Sequence, residues 1–116
     1  MWEDSAIVAG QVGVRSDGTA GESIGEQARI AFENIDRVLA ESTLKTDDIA
    51  SLRIYLTLHD HIEFFTETAK SCLGEHRPAA TLLIVVTLAH PTLDVQIEVI
   101  AVGSTFSWHS ARLCIQ

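Results

Sequence analysis

Glu98 stands between Ile97 and Val99 in the run Asp94-Val95-Gln96-Ile97-Glu98-Val99-Ile100-Ala101. A carboxylate held in mid-strand among apolar neighbours is a residue type that orients or activates water in general acid–base work. The same placement fits a solvated or interfacial carboxylate paired with Arg53 or with an arginine of another subunit. Gln96 lies two residues away on the same strand face and would share the cleft or interior that Glu98 looks into. Two guanidinium groups are candidates for holding an anion: Arg77, in His76-Arg77-Pro78-Ala79-Ala80-Thr81, and Arg53, on a separate strand run. Arg77 fits equally well as a plain surface residue flanking a turn.

Other reactive residue types carry less. His59-Asp60-His61 contains metal-ligating side chains. Histidines two apart at a strand-to-helix turn diverge once the helix starts, however, and no third ligand is close in sequence. A helix cap with flanking surface histidines is the expectation, with no metal and no cofactor. Cys72 falls on an apolar helical stripe and reads as a core residue rather than a nucleophile. With Cys114 it makes neither a disulfide framework nor a metal-binding pair, so a reducing cytoplasm is the natural compartment. Tyr55 and Thr57 fit either a pocket lining or an interface. No phosphate-cradling loop or nucleophile elbow occurs.

The elements that position these residues follow from periodicity. Ala6 to Val14 reads as a strand with a bulge or close backbone approach at Gly10 and Gly13. Ser23-Ile24-Gly25-Glu26 matches a capping box, in which Ser caps a helix start and Glu reaches back to it. Ala28, Ala31, Phe32, Ile35, Val38 and Leu39 then share one face of a helix expected over 23–42. Leu52 to Leu58 alternates strictly: Leu52, Ile54, Leu56 and Leu58 face one way, and Arg53, Tyr55 and Thr57 the other. Asp60-His61-Ile62-Glu63 is a second helix start, and that helix ends at Gly74. Thr81 to Leu88 is apolar on both faces, as expected of a central strand buried on both sides. Asp94 to Val102 is the last strand, with Val95, Ile97, Val99 and Ala101 on one face and Gln96, Glu98, Ile100 and Val102 on the other.

Two helices of this size cover one face of a small sheet, which gives an α+β two-layer sandwich. The uncovered face, carrying Ile84 and Val86 or their alternates with Ile100 and Val102, is an apolar strip of the kind that marks a subunit interface. A homo-oligomer is therefore expected. The 116 residues are enough for one domain, placed at 1–103, with a tail at 104–116 that either packs back or extends. Sixteen acidic residues against 8 Lys plus Arg give a net charge of −8, which argues against nucleic acid or an anionic membrane as partner. No segment of the sequence reaches the roughly 20 apolar residues of a membrane span.

Taken together and in order, Ala9-Gly10-Gln11, the helix before Gln27, Asp47-Asp48-Ile49, Pro78-Ala79 and Ile97-Glu98 resemble the Rid family (reactive-intermediate deaminases, also called the YjgF family). The resemblance covers about residues 5–103. It implies a chorismate-mutase-like fold and a homotrimer with ligand clefts between adjacent subunits. It further implies a small-molecule metabolite as ligand, with hydrolysis of imines or enamines as the activity. Glu98 matches the family glutamate that positions water. Gly10, Ala80 and Leu82 match positions that line the pocket, with Arg77 close by. Ala80 stands where the deaminases carry an arginine for the substrate carboxylate, and Ala9 where a serine is common. The leading expectation is a homotrimer that binds, or binds and hydrolyses, a small imine- or enamine-like metabolite without the usual carboxylate anchor; Ala80 argues against classical 2-imino-acid deamination. A non-catalytic metabolite-binding or regulatory module is the alternative, and an endoribonuclease or translation inhibitor comes third.

Overall fold

The structure, a computed structural model, describes residues 5–103. The proposed tail at 104–116 lies outside these residues, as does Cys114. Four strands and two helices occur in the order β1 (Ser5–Val12), α1 (Ile24–Glu41), β2 (Ile49–Leu56), α2 (Ile62–Leu73), β3 (Ala79–Ile84) and β4 (Val95–Val102). Short 3-10 turns at Thr46–Asp48 and His59–His61 precede β2 and α2. The strands form one mixed sheet in the order β1-β4-β2-β3, with β4 antiparallel to both β1 and β2, and β3 parallel to β2.

Alternation along the strands decides which side of the sheet the helices cover. Val95, Ile97, Val99 and Ala101 of β4 are fully buried, as are Leu52, Ile54 and Leu56 of β2, and all point toward the helices. Ala28, Ala31, Phe32, Ile35 and Leu39 complete the core from α1, and Phe65, Ala69 and Leu73 from α2. Phe32 stacks on Phe65 with ring centroids 6.3 Å apart, joining the two helices. This is the two-layer α+β sandwich expected. No helix among the described residues is long and apolar enough to cross a membrane.

Local signals explain the helix ends, with two adjustments. Ser23 caps α1 by accepting a hydrogen bond from the Glu26 N–H at 3.1 Å. Glu26 does reach back, but its carboxylate accepts from the N–H of Glu22 (2.6 Å) rather than that of Ser23, and it also pairs with Arg15 at 3.0 Å. At α2 the cap residue is His61 and not Asp60, and no side chain caps it, because the 3-10 turn already winds the chain into helical geometry. Gly74 ends α2 at φ +65°, a conformation that favours glycine.

Two strand expectations are corrected. β2 begins earlier, at Ile49, and stops at Leu56. Beyond it Thr57 turns toward Asp94, bonding through its N–H to the Asp94 carbonyl (3.2 Å) and through Oγ1 to the Asp94 carboxylate (2.8 Å), which leaves Leu58 exposed. The Thr81–Leu88 run is not a central strand. β4 already occupies the other side of β2, so the chain returning through α2 adds β3 at the sheet edge, over Ala79–Ile84 and mostly exposed. Its apolar residues are not used up within one chain. The central strand is β4.

Candidate functional site

The face of the sheet away from the helices carries the carboxylate. Glu98 sits directly opposite Arg53 across the β2–β4 ladder. On its other side the β1–β4 ladder has a bulge: Val8 pairs with Val99 and Gln11 with Ile97, so Ala9 and Gly10 together oppose Glu98. The bulge expected at Gly10 is thus the device that opens the backbone beside the carboxylate. A Cβ on Gly10 would stand 2.2 Å from the Gln96 side-chain nitrogen, so glycine here admits Gln96 to the same face. Tyr55 donates its hydroxyl to Glu98 Oε1 at 3.2 Å, fixing one carboxylate oxygen. Among the described residues Glu98 Oε2 has no hydrogen-bond partner, so it is available to a water or a ligand.

A cavity of about 240 Å³ opens on this face, lined by Ile7, Ala9, Ser51, Arg53, Glu98 and Ile100, among others. Its rim is apolar and open, with Ile7 84% and Ile100 46% exposed. Arg53 is the cation in its lining. Among the described residues Arg15 and Glu26 form an ion pair, but Arg53 and Glu98 do not, although they face each other.

The remaining expected site residues lie on the opposite side of the sheet. Ala80 pairs with Leu52 and Leu82 with Ile54, both helix-facing, whereas Glu98 pairs with Arg53. Ala80, Leu82 and Arg77 line a mainly apolar groove of about 250 Å³ between β3 and α2, together with Pro78, Phe65 and Ala69. Arg77 donates Nη1 to the carbonyls of Gly74 (2.5 Å) and His76 (2.9 Å), so its guanidinium braces the end of α2. Within one chain, therefore, Gly10 and Glu98 come together, and Arg77, Ala80 and Leu82 come together, but the two sets do not meet.

Cys72 packs against the core, and burial pushes its thiol pKa up, which disfavours the thiolate. No cluster of three or more potential metal ligands occurs among the described residues. Ser51 and Ile7 line the cavity and were not foreseen. Extending the strand alternation to them would have put both on the open face, but only the β1–β4 and β2–β4 registers bring them beside Glu98.

The chain was compared with known proteins. A family model described as endoribonuclease L-PSP matches residues 2–103. The mitochondrial protein MMF1 of Saccharomyces cerevisiae is 30% identical over 96 residues, which is 82% of this chain and 66%, just under two thirds, of that protein. The crystal structure of yeast Mmf1 superposes with a TM-score of 0.82 at 28% identity, covering 87% of this chain and 81% of that one. Rv2704 of Mycobacterium tuberculosis, described as a member of the YjgF/YER057c/UK114 family, gives a TM-score of 0.78 at 28% identity, covering 85% and 79%. Escherichia coli TdcF, solved with bound serine, gives 0.82 at 25% identity, covering 87% and 82%.

Proposed function

This chain belongs to the endoribonuclease L-PSP family, the YjgF/RidA group with its chorismate-mutase-like fold, and on that premise we propose that it is a homotrimer binding and hydrolysing a small imine- or enamine-like metabolite between subunits. The observation that carries this reading is the split site. Glu98 and Gly10 lie on the open face, and Ala80 and Leu82 on the helix side of an exposed edge strand. A pocket containing both sets needs the β3 edge of one protomer laid against the open face of the next. The exposed apolar residues Ile7, Ile100 and Leu83 supply a reason for that face to be covered.

In this reading Glu98 is the catalytic residue. Tyr55 holds Oε1, and Oε2 accepts a proton from the water that attacks the electrophilic carbon. Water adds to the C=N bond, the resulting carbinolamine collapses, and ammonia leaves as the carbonyl forms. TdcF, a structural relative, holds serine, which supports a ligand of amino-acid size here. No cofactor is required. A net charge of −8 disfavours an RNA backbone in the cleft, so no nucleic-acid partner is assigned, nor a membrane. We place the protein in the cytoplasm, where Cys72 remains a free thiol.

The test is release of ammonia and ketoacid from a panel of freshly generated imines, run alongside light scattering. A trimer whose turnover falls roughly 10²- to 10⁴-fold in Glu98→Ala supports the enzyme. Ala80, which offers no guanidinium, favours a second reading: a metabolite-binding module without catalysis. A trimer with saturable binding and no turnover on any imine would establish that reading, and a monomer would overturn both.

A further inference from the structure

We propose that Arg53 is this chain's anion anchor, so that a small carboxylate binds on the open face beside Glu98 rather than at position 80. The inference deepens the function proposed above and relocates the charge that recognises the ligand to a different strand and a different face of the sheet.

Four observations converge. Arg53 and Glu98 are directly opposed across antiparallel β2 and β4, which places their Cβ atoms roughly 4.5–5.5 Å apart on one face. The two side chains nevertheless do not join in an ion pair. Both line the same cavity of about 240 Å³, a size suited to a ligand of a few heavy atoms. Tyr55 ties down one oxygen of Glu98, which holds that carboxylate away from simply neutralising Arg53.

The chemistry of this juxtaposition selects a ligand. The planar guanidinium matches a carboxylate through two parallel hydrogen bonds. Glu98, one ladder position across, accepts from an N–H or a water on the neighbouring carbon. Apolar Ile7 and Ile100 flank the open rim, and a neighbouring protomer laid over them would exclude water from the charge-assisted bonds. On a chain of net charge −8, a local cation offsets the repulsion that a small anion would otherwise meet. Arg77 is a weaker anchor, because its Nη1 is already bonded to the Gly74 and His76 carbonyls at the end of α2. The carboxylate subsite is accordingly built within one protomer, while the remainder of the pocket comes from a neighbour.

Pyruvate is a suitable probe, and pyruvamide is its neutral control. Amide NMR titration of the full chain should show pyruvate shifting residues of β1, β2 and β4 around 7–9, 51–53 and 98–100, with pyruvamide without effect. Arg53→Gln should weaken pyruvate roughly 10- to 100-fold, and Arg53→Lys should fall between it and the parent, since the charge stays but the fork is lost. Arg77→Gln should weaken pyruvate far less than Arg53→Gln does. Pyruvate bound equally well by Arg53→Gln, shifts confined to 77–82, or no binding by the parent chain would each overturn the assignment. So would an Arg53→Gln variant whose subunits dissociate while pyruvate affinity is kept, because Arg53 would then be an interface residue. Light scattering on the same samples separates the two readings: a parent chain that is monomeric but still binds pyruvate through Arg53 defeats the trimer and leaves the anchor standing.

Discussion

The Tyr55 hydroxyl reaches diagonally from β2 to Glu98 on the adjacent β4, donating to Oε1 at 3.2 Å from a position paired with Gln96. The bond orients the carboxylate and leaves its other oxygen open. Tyr55→Phe keeps the ring and removes the bond. Imine turnover should fall roughly 2- to 10-fold, the equivalent of one hydrogen bond, with the circular dichroism spectrum unchanged. Steady-state kinetics on the most active imine of the panel checks it. An unaltered rate would remove Tyr55 from the machinery.

Gln27 is buried and fastens three segments. Its amide donates to the carbonyls of Gly21 (3.0 Å) and Thr92 (3.2 Å), and its oxygen accepts from the Asp94 N–H (2.8 Å). Gln27→Leu fits the volume but strands these backbone groups. Urea unfolding should show a loss of about 2–4 kcal/mol, because Asp94 leads directly into β4.

Two glycines should respond differently to alanine. At Gly13 the new Cβ would lie 2.5 Å from the Gln27 Cα, a backbone atom that cannot move aside. At Gly10 it meets the Gln96 side chain, which can swing away. Gly13→Ala should destabilise by about 1–3 kcal/mol. Gly10→Ala should cost less, and adding Gln96→Ala should restore most of the loss. Thermal denaturation of the three variants decides.

Burial raises the Cys72 pKa above its ordinary value of 9.0. The neutral thiol is therefore favoured by folding. The associated stability is complete below the unfolded pKa and fades as pH rises through the folded one. At pH 8 the native protein should react with iodoacetamide more slowly at Cys72 than the urea-unfolded chain does, and mass spectrometry of the alkylated peptide reads the difference. Equal rates would place the thiol in solvent.

Ile100→Asp sets a charge in the middle of the exposed apolar face. If that face is the trimer interface, light scattering should show dissociation to monomers that retain their secondary structure, because Ile100 points away from the helix-side core.

Much of this architecture could be read from periodicity. The α1 stripe from Ala28 to Leu39 and the β4 alternation from Val95 to Val102 each identified their buried face, because one side of each packs on the core. β3 could not be placed that way. A run apolar on both sides has the pattern of a strand buried on both sides, but the pattern does not say whether the second cover comes from the same chain. Sequence offered Arg53 as one candidate partner of Glu98 but did not bring Tyr55 to that carboxylate or fix which residues face each other. Their juxtaposition depends on the β2–β4 register, a long-range property set by the bulge at Ile49–Ser51 and the turn at Thr57. Ala80 and Glu98 fall on opposite sides of the sheet for the same reason: chain order carries no information about which neighbour a strand will choose.

β4 follows every other described strand in the chain, yet it alone connects β1 to β2. During synthesis, the first strand leaves the ribosome with no partner to pair with and waits for more than eighty residues to be translated. Nascent chains halted before Val95 should consequently be sticky and protease-sensitive, because β1 and β2 then lack the strand that joins them.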